Sequence, residues 1–289
     1  MINTQQNEKA EYFLKLHHEK EILVLLNSWD PGSSKLIEAS GIKAIATTSM
    51  GISASLGYPD CQVIPFNEML EAISRITSKV SLPVTVDIEG GYGNNNEEIL
   101  NSTRQIIETG IIGINIEDSH SLNPKLIDET EFCERITAIR DLSYSLGFHL
   151  VINARTDAFL TSSGSPETRL SETIRRGNKY RDAGADCIFI PNVWEGDKIS
   201  DLVKEINSPV NILVNLTNGT GIPPTLSELE NLGVSRVSVG SSLMKSTLAL
   251  VKKIAEEVKL KGTSNILTDA ITPISDTLMA YKMATGTVE

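Results

Sequence analysis

Eight short apolar runs rich in β-branched residues punctuate the chain, and each gives way to a stretch with helical spacing. They fall at 22–27, 44–49, 83–89, 113–118, 150–157, 187–192, 212–217 and 236–241. Each run is bounded by Gly, Pro or polar turn residues and is apolar almost throughout, the pattern of a strand buried on both faces. Parallel neighbours need a crossover of about a dozen residues or more, and the gaps here are long enough to hold helices. A doubly wound sheet usually has fewer strands and one reversal of order, so eight strand–helix repeats predict an α/β fold of the (β/α)8 TIM barrel type.

The helical spacing is clearest at Glu68, Leu70, Ile73, Ile76 and Val80, which precede Ser81-Leu82-Pro83. It is clear again over 98–109, which stops at Gly110 with Ile99, Ile106 and Ile107 as apolar positions. Segments 131–146, 167–184 and 242–260 read the same way, while 218–224 is a loop by composition. Residues before about 20 form an additional N-terminal amphipathic helix, and 263–289 a C-terminal helical extension. No low-complexity tract or linker divides the 289 residues, so 1–289 is expected to be a single barrel domain with helical additions.

Charge narrows the partners. With 37 acidic against 26 basic residues the formal net charge is −11. Neutralising nucleic-acid phosphates or an anionic membrane requires the opposite sign, so neither is expected as a partner. Cys61, Cys133 and Cys187 have neither the number nor the spacing of a disulfide framework or a structural zinc site. The start lacks a basic-then-apolar leader, and no apolar run approaches the ~20 residues of a membrane span. A cytoplasmic location is the expectation.

In such a barrel the active site is built at the C-terminal ends of the strands. Here those ends carry Asn27-Ser28-Trp29-Asp30, Thr48-Ser49, Asp87-Ile88-Glu89, Glu117-Asp118, Arg155-Thr156-Asp157, Asn192, Asn215 and Ser241. Asp30, Asp157, Ser241 and Ser242 suit helix caps as well as they suit a site; Glu89, Glu117 and Arg155 make poor caps. Asp87 and Glu89, two apart on one run, should point to the same side, with Glu117 ending the next. Three close carboxylates repel one another unless a cation stands between them. An all-oxygen donor set with few protein ligands suits Mg2+, with Mn2+ as the alternative ion. A solvated acidic rim, or a salt bridge to Arg155, is the other reading. A guanidinium at a strand end can hold a carboxylate by two parallel hydrogen bonds, so Arg155 and a metal together would bind a small dianion such as a 2-oxo acid.

The same stretches, Asn27-Ser-Trp-Asp30, Thr47-Thr-Ser-Met-Gly51, Leu56-Gly-Tyr-Pro-Asp60, Val86-Asp-Ile-Glu-Gly-Gly-Tyr-Gly93, Ile116-Glu-Asp118 and Asn153-Ala-Arg-Thr-Asp157, resemble the isocitrate lyase / phosphoenolpyruvate mutase superfamily. The match runs in order from about residue 12 to 250. The resemblance implies a barrel that assembles as a homo-oligomer, a dimer or commonly a tetramer with its C-terminal helix exchanged between subunits. It also implies Mg2+ and chemistry on a 2-oxo acid or its enolate. By position, Asp87 resembles the direct metal ligand, while Glu89 and Glu117 resemble residues that reach the metal through water. Asp60 resembles an acidic residue on the loop after the second strand. Thr48, Ser49 and Met50 fall where the substrate carboxylate is gripped, and Arg155 and Asn215 match substrate-binding positions. Asn192 stands where methylisocitrate lyases carry Glu.

One loop departs from the superfamily. Lyase members carry Lys-Lys/Arg-Cys-Gly-His after the fourth strand, the Cys serving as general acid, whereas this chain reads Glu117-Asp-Ser-His-Ser-Leu-Asn-Pro-Lys-Leu126. Phosphonopyruvate enzymes carry a Lys and an Asn there, and here Asn123 and Lys125 come in the opposite order. His120 is the candidate acid, with water and Tyr92 as alternatives and a solvated loop residue as the plain reading. His17, His18 and His149 fall away from the catalytic end. The expected function is Mg2+-dependent cleavage of a C–C bond in a small 2-oxo or 2-hydroxy carboxylic acid through an enolate. Carbon–phosphorus chemistry and a non-catalytic 2-oxo acid binder are the alternatives. A Schiff-base aldolase lacks its strand lysine, and a phosphate grip at Gly219, Gly221 and 240–242 leaves the acidic cluster unexplained.

Overall fold

Strand by strand, the eight apolar runs pair in parallel with their neighbours and close into a ring. The structure, a computed structural model, describes residues 2–120, 123–160, 164–214, 223–270 and 281. Along the chain follow α1 (Thr4–Leu16), β1 (Leu23–Ser28), α2 (Pro31–Ala39), β2 (Ile45–Thr47), α3 (Ser49–Ser55), α4 (Phe66–Thr77), β3 (Val84–Asp87), α5 (Asn96–Glu108) and β4 (Gly113–Glu117). A short pair, β5 (Ser119–His120) and β6 (Asn123–Leu126), precedes α6 (Glu129–Ser145), β7 (Val151–Arg155), α7 (Pro166–Asp182), β8 (Cys187–Ile190), α8 (Gly196–Glu205) and β9 (Val210–Leu213). The described chain then runs through α9 (Leu226–Asn231), β10 (Arg236–Ser238), α10 (Ser242–Lys261) and α11 (Asn265–Ala270). The barrel order is β1-β10-β9-β8-β7-β4-β3-β2, a (β/α)8 barrel.

Each expected run is a strand, and most end a few residues early because the polar residues turn away to begin the next element. Thr48 leaves β2 to cap α3, its hydroxyl accepting from the Gly51 amide at 3.4 Å. Asp30 leaves β1 to cap α2 in a reciprocal capping box with Ser33 behind Pro31, so the cap reading holds for Asp30. Helices α4, α5, α6, α7 and α10 lie where the spacing placed them. The antiparallel β5–β6 pair had no periodic signal, because two and four residues are too short to show one.

The N-terminal helix is tied to the barrel: α1 buries Ala10, Phe13 and Leu16, and Gln6 donates to the Ile107 and Ile111 carbonyls at 2.9 and 2.8 Å. Its contacts fall at the N-terminal ends of the strands, so the opposite end is left for the site. An isoleucine-rich core that includes Ile45, Ile73, Ile114, Ile152 and Ile188, each fully buried, fills the space between strands and helices. Truncating one of these to Ala would cost about 2–5 kcal/mol. Of the expected extension at 263–289, α11 and Tyr281 are described and the rest lies outside the described residues. Among the described residues no helix is long and apolar enough to cross a membrane.

Candidate active site

A cleft of about 240 Å3 opens at the C-terminal ends of the strands. Thr48, Ser49, Met50, Asp60, Asp87, Arg155 and Asn192, from five separate parts of the sequence, all line it. Glu89 and Glu117 are buried behind this lining, with only 4% and 6% of their surfaces exposed. Asn215 and the side chain of His120 lie outside the described residues, although the His120 backbone pairs with Asn123 in the short hairpin.

Asp87 ends β3 and is fixed by its neighbour strand. The Ser49 hydroxyl donates to Oδ2 at 2.7 Å and the Ser49 amide at 3.3 Å, while the Asp87 amide donates to Thr47 Oγ1 at 3.1 Å. Ser49 thus holds the metal-ligand candidate. Strand alternation does not explain Glu89, because β3 has already ended and Glu89 has φ +51°. A left-handed turn brings it back toward Asp87 instead. Gln62 donates its amide to Glu89 Oε2 at 3.0 Å and the Tyr92 hydroxyl donates to Oε1 at 3.4 Å. Cys61, Gln62, Glu89, Tyr92 and Asn192 are the non-glycine residues with positive φ among those described, and four of the five belong to the two loops that meet at Glu89. Such conformations cost about 1–3 kcal/mol each and persist where the surroundings over-determine them, which is characteristic of binding sites.

Arg155 is clamped. Its Nε and Nη2 donate to the two carboxylate oxygens of Asp157 at 2.6 and 3.0 Å, and Nη1 lies 2.8 Å from Glu117 Oε2. Asp157 is therefore an anchor for Arg155 and not a helix cap. It also accepts from the Ser119 hydroxyl at 2.5 Å, and its amide donates to Asp118 at 2.8 Å. Asp118, fully buried, takes the Tyr180 hydroxyl at 2.6 Å and Arg176 at 3.1 Å on its other oxygen. The salt-bridge reading of the acidic cluster accounts for Glu117 alone; Asp87 and Glu89 form no ion pair among the described residues.

The balance of charge shows what the cluster lacks. Asp60, Asp87, Glu89, Glu117 and Asp157 face Arg155 and, across the cleft, Lys245. Burial first, then the charges of Asp87, Glu117 and Asp60, push the Glu89 carboxyl up to about 9. Burial likewise raises Glu117 to about 8, with Asp157, Asp87 and Asp60 adding to it and Arg155 opposing. Asp60 is raised chiefly by burial. Burial alone would lower Arg155, yet Glu117 and Asp157 hold it above its ordinary value. Buried acids that cannot all ionise mark a place for a further cation. Among the described residues no three His, Cys, Asp or Glu side chains converge closely enough to enclose a metal. An ion here would take few protein ligands directly and complete its shell with water, the habit of Mg2+. The oxygen donors and their surplus charge fit that ion.

Sequence reasoning passed over Asn115, Trp194 and Lys245, which also line the cleft. Lys245 stood in the first turn after the last strand, a rim position that could have flagged it. Arg176 and Tyr180 carry no such signal, since their role depends on α7 reaching Asp118 just beyond β4.

The family model for phosphoenolpyruvate phosphomutase matches residues 13–259. The chain belongs to this family, within the isocitrate lyase/phosphoenolpyruvate mutase superfamily. Family relatives include the 2,3-dimethylmalate lyase of Eubacterium barkeri, 30% identical over 245 residues that cover 80% of each chain. A solved structure of a candidate lyase/mutase from Burkholderia cenocepacia J2315 superposes with a TM-score of 0.87 at 32% identity, covering 96% of both chains. A phosphonopyruvate hydrolase structure, a complex with oxalate and Mg2+, shares the fold with a TM-score of 0.80 at 23% identity and 96% coverage of each chain. Lyases and mutases of small carboxylates thus share this family and fold.

Proposed function

We propose that the protein is a Mg2+-dependent carbon–carbon lyase or oxaloacetate-type decarboxylase acting on a small 2-oxo or 2-hydroxy carboxylic acid. The observation that carries this reading is the joint presence, in one cleft, of Asp87, a rigidly clamped Arg155 and a surplus of buried acids. Relatives that are lyases, and a complex of oxalate and Mg2+ in a protein of the same fold, support it. Asp87 would hold the ion directly, with Glu89 and Glu117 reaching it through water; Mn2+ is the alternative. When bound, the ion supplies Lewis acidity toward the carboxylate and oxo oxygens of the substrate.

The chain's own residues do the rest. Arg155 orients the substrate carboxylate, with Thr48, Ser49, Met50 and Asn192 shaping the pocket around it and Asn215 assigned a substrate contact by the superfamily resemblance. From a 2-oxo acid the bond from C3 to its leaving group breaks and the electron pair stays on C3 as the enolate, the departing group being CO2 for an oxaloacetate-type acid. From a 2-hydroxy acid the hydroxyl proton passes to a carboxylate of the acidic wall, the C2 oxygen becomes the carbonyl of the departing fragment, and the electron pair of the C2–C3 bond goes to C3. A proton then reaches C3, and His120 on the β5–β6 hairpin is the donor we assign, with Asp60 close to the reacting atoms. The protein acts in the cytoplasm as a homo-oligomer, a dimer or tetramer, with 263–289 exchanged between subunits. The exposed Leu248, Val251, Val258 and Leu260 of α10 support an assembly through that end.

The test is a substrate panel followed by NMR with Mg2+ present: oxaloacetate, 2,3-dimethylmalate, other 2-oxo and 2-hydroxy di- and tricarboxylic acids, and phosphonopyruvate. Turnover of a C–C substrate is expected. Turnover of phosphonopyruvate alone replaces the lyase with carbon–phosphorus chemistry. Binding by calorimetry without any product overturns the enzyme. With the active substrate, His120→Ala should lower turnover about 100-fold; unchanged turnover removes His120 from the role.

A further inference from the structure

Beneath the acidic cleft the barrel interior is polar. Asn115 on β4, Asn153 on β7, Asn211 on β9 and Arg236 on β10 are all buried, Arg236 completely. Among the described residues no carboxylate pairs with Arg236. Its Nη2 donates to Asn115 Oδ1 at 3.2 Å, its Nη1 lies 3.4 Å from His17 Nε2, and its guanidinium stands 5.7 Å from the centre of the Phe13 ring. Burial pushes its pKa down to about 10, which still leaves a cation at neutral pH. His17, lowered to about 3 by burial and by Arg236, is neutral. Its Nδ1 lies 2.8 Å from the Phe13 carbonyl, which can only accept, so Nε2 is left as an acceptor for Arg236.

This cation dictates the orientation of an amide above it. A guanidinium has only donors, so the Asn115 atom that faces it must be the oxygen. Asn153 Nδ2 donates to the same oxygen at 2.8 Å. With its oxygen held by Arg236 and by Asn153 on the neighbouring strand, the amide turns its nitrogen away from both. Asn115 lines the cleft, and its Nδ2 has no partner among the described residues and is not among the sealed unpartnered atoms, so it opens to the cleft. Asn115 is also the cross-strand partner of Asp87, which places this donor beside the carboxylate that ends β3. Hydrogen bonds accepted by an amide oxygen polarise its N–H groups and strengthen them as donors.

We propose that Asn115 is a substrate-binding donor on the cleft floor, turned toward an oxygen of the bound acid by the buried Arg236 cation beneath it. Arg236 touches no substrate and is a positioning residue. The inference rests on the 2-oxo acid reading above and adds a contact that specifies an oxygen at the floor.

Oxalate in the presence of Mg2+ serves as the probe, measured by calorimetry on the full chain. Asn115→Asp keeps the acceptor for Arg236, gives that cation a partner and so protects the fold, but replaces the donor with an acceptor. It should weaken oxalate by about 10- to 100-fold, the worth of a hydrogen bond to a charged group, without weakening Mg2+ measured alone. Equal oxalate affinity in wild type and Asn115→Asp overturns the proposal while leaving the 2-oxo acid reading intact. Failure of wild type to bind oxalate overturns both. Arg236→Lys, which keeps the charge, should bind oxalate nearly as wild type, and Arg236→Met should weaken it. If Arg236 acts through Asn115, Arg236→Met adds little in an Asn115→Ala background, where there is no amide left to orient; a full additional loss there overturns the positioning role.

Discussion

Arg155 and Arg236 are both set into one barrel, on β7 and β10, and they are stabilised in opposite ways. Arg155 stands among acids, with Asp157 on one edge and Glu117 on the other, and its proton is held more tightly than usual. Arg236 stands among amides, a neutral histidine and an aromatic ring, with its pKa pushed down to about 10. Burial lowers both, so the partner decides the outcome. Among the described residues, the upper region therefore has more negative charge than its own cations balance, and the lower region has a positive charge that no acid pairs with. A cleft placed between them is suited to an ion on its acidic wall and to an anion above its floor.

That contrast can be broken most sharply at the acidic wall. Asp87→Ala should abolish Mg2+-dependent binding of oxalate; normal metal affinity in titration calorimetry would show that the acids are not a metal wall. Next in size, Arg155→Ala should weaken oxalate by about 100-fold, as expected for losing a bidentate charged contact, while Mg2+ affinity shifts by less than about threefold. Equal losses for both ligands would mean that Arg155 only props up Glu117.

A smaller effect concerns pH. Glu89 and Glu117 are raised in the folded protein to about 9 and about 8, above their unfolded value near 4.5. Between those limits the folded state binds more protons than the unfolded one. The stability they contribute is present in full below about pH 4.5 and is lost as pH rises through about 8–9. Urea unfolding of the metal-free protein should thus show falling stability from about pH 6 to 9, and added Mg2+ should flatten that slope. A metal-free profile that rises with pH would mean the acids are already compensated.

The barrel was legible because strand and helix periods are local. Eight runs with period-two or continuous apolarity, each followed by a 3.6-residue pattern, announce the same architecture that the hydrogen bonds close. The places of Asp87 and Arg155 at the rim were legible for the same reason, as polar residues that end apolar strands, whereas Asp60, on the loop after α3, was marked only by the superfamily resemblance. Glu89 was found for an incomplete reason: strand alternation suggested its side, and a left-handed turn placed it. Asp157 was ambiguous, since Asp after a strand serves a cap as readily as an ion pair.

What the sequence by itself determined is the order of elements, the polar rim and the acidic excess, all properties of neighbours along the chain. Only the tertiary structure decided that Asp157 clamps Arg155, and that Asp118 meets Tyr180 across 62 residues. It alone decided that Arg236 reaches Asn115 across 121 residues. Those contacts arise from closing the barrel and wrapping its helices, which brings distant side chains into a low-dielectric interior where each needs a partner. No local pattern encodes them, because which partner is met depends on strand register around the ring.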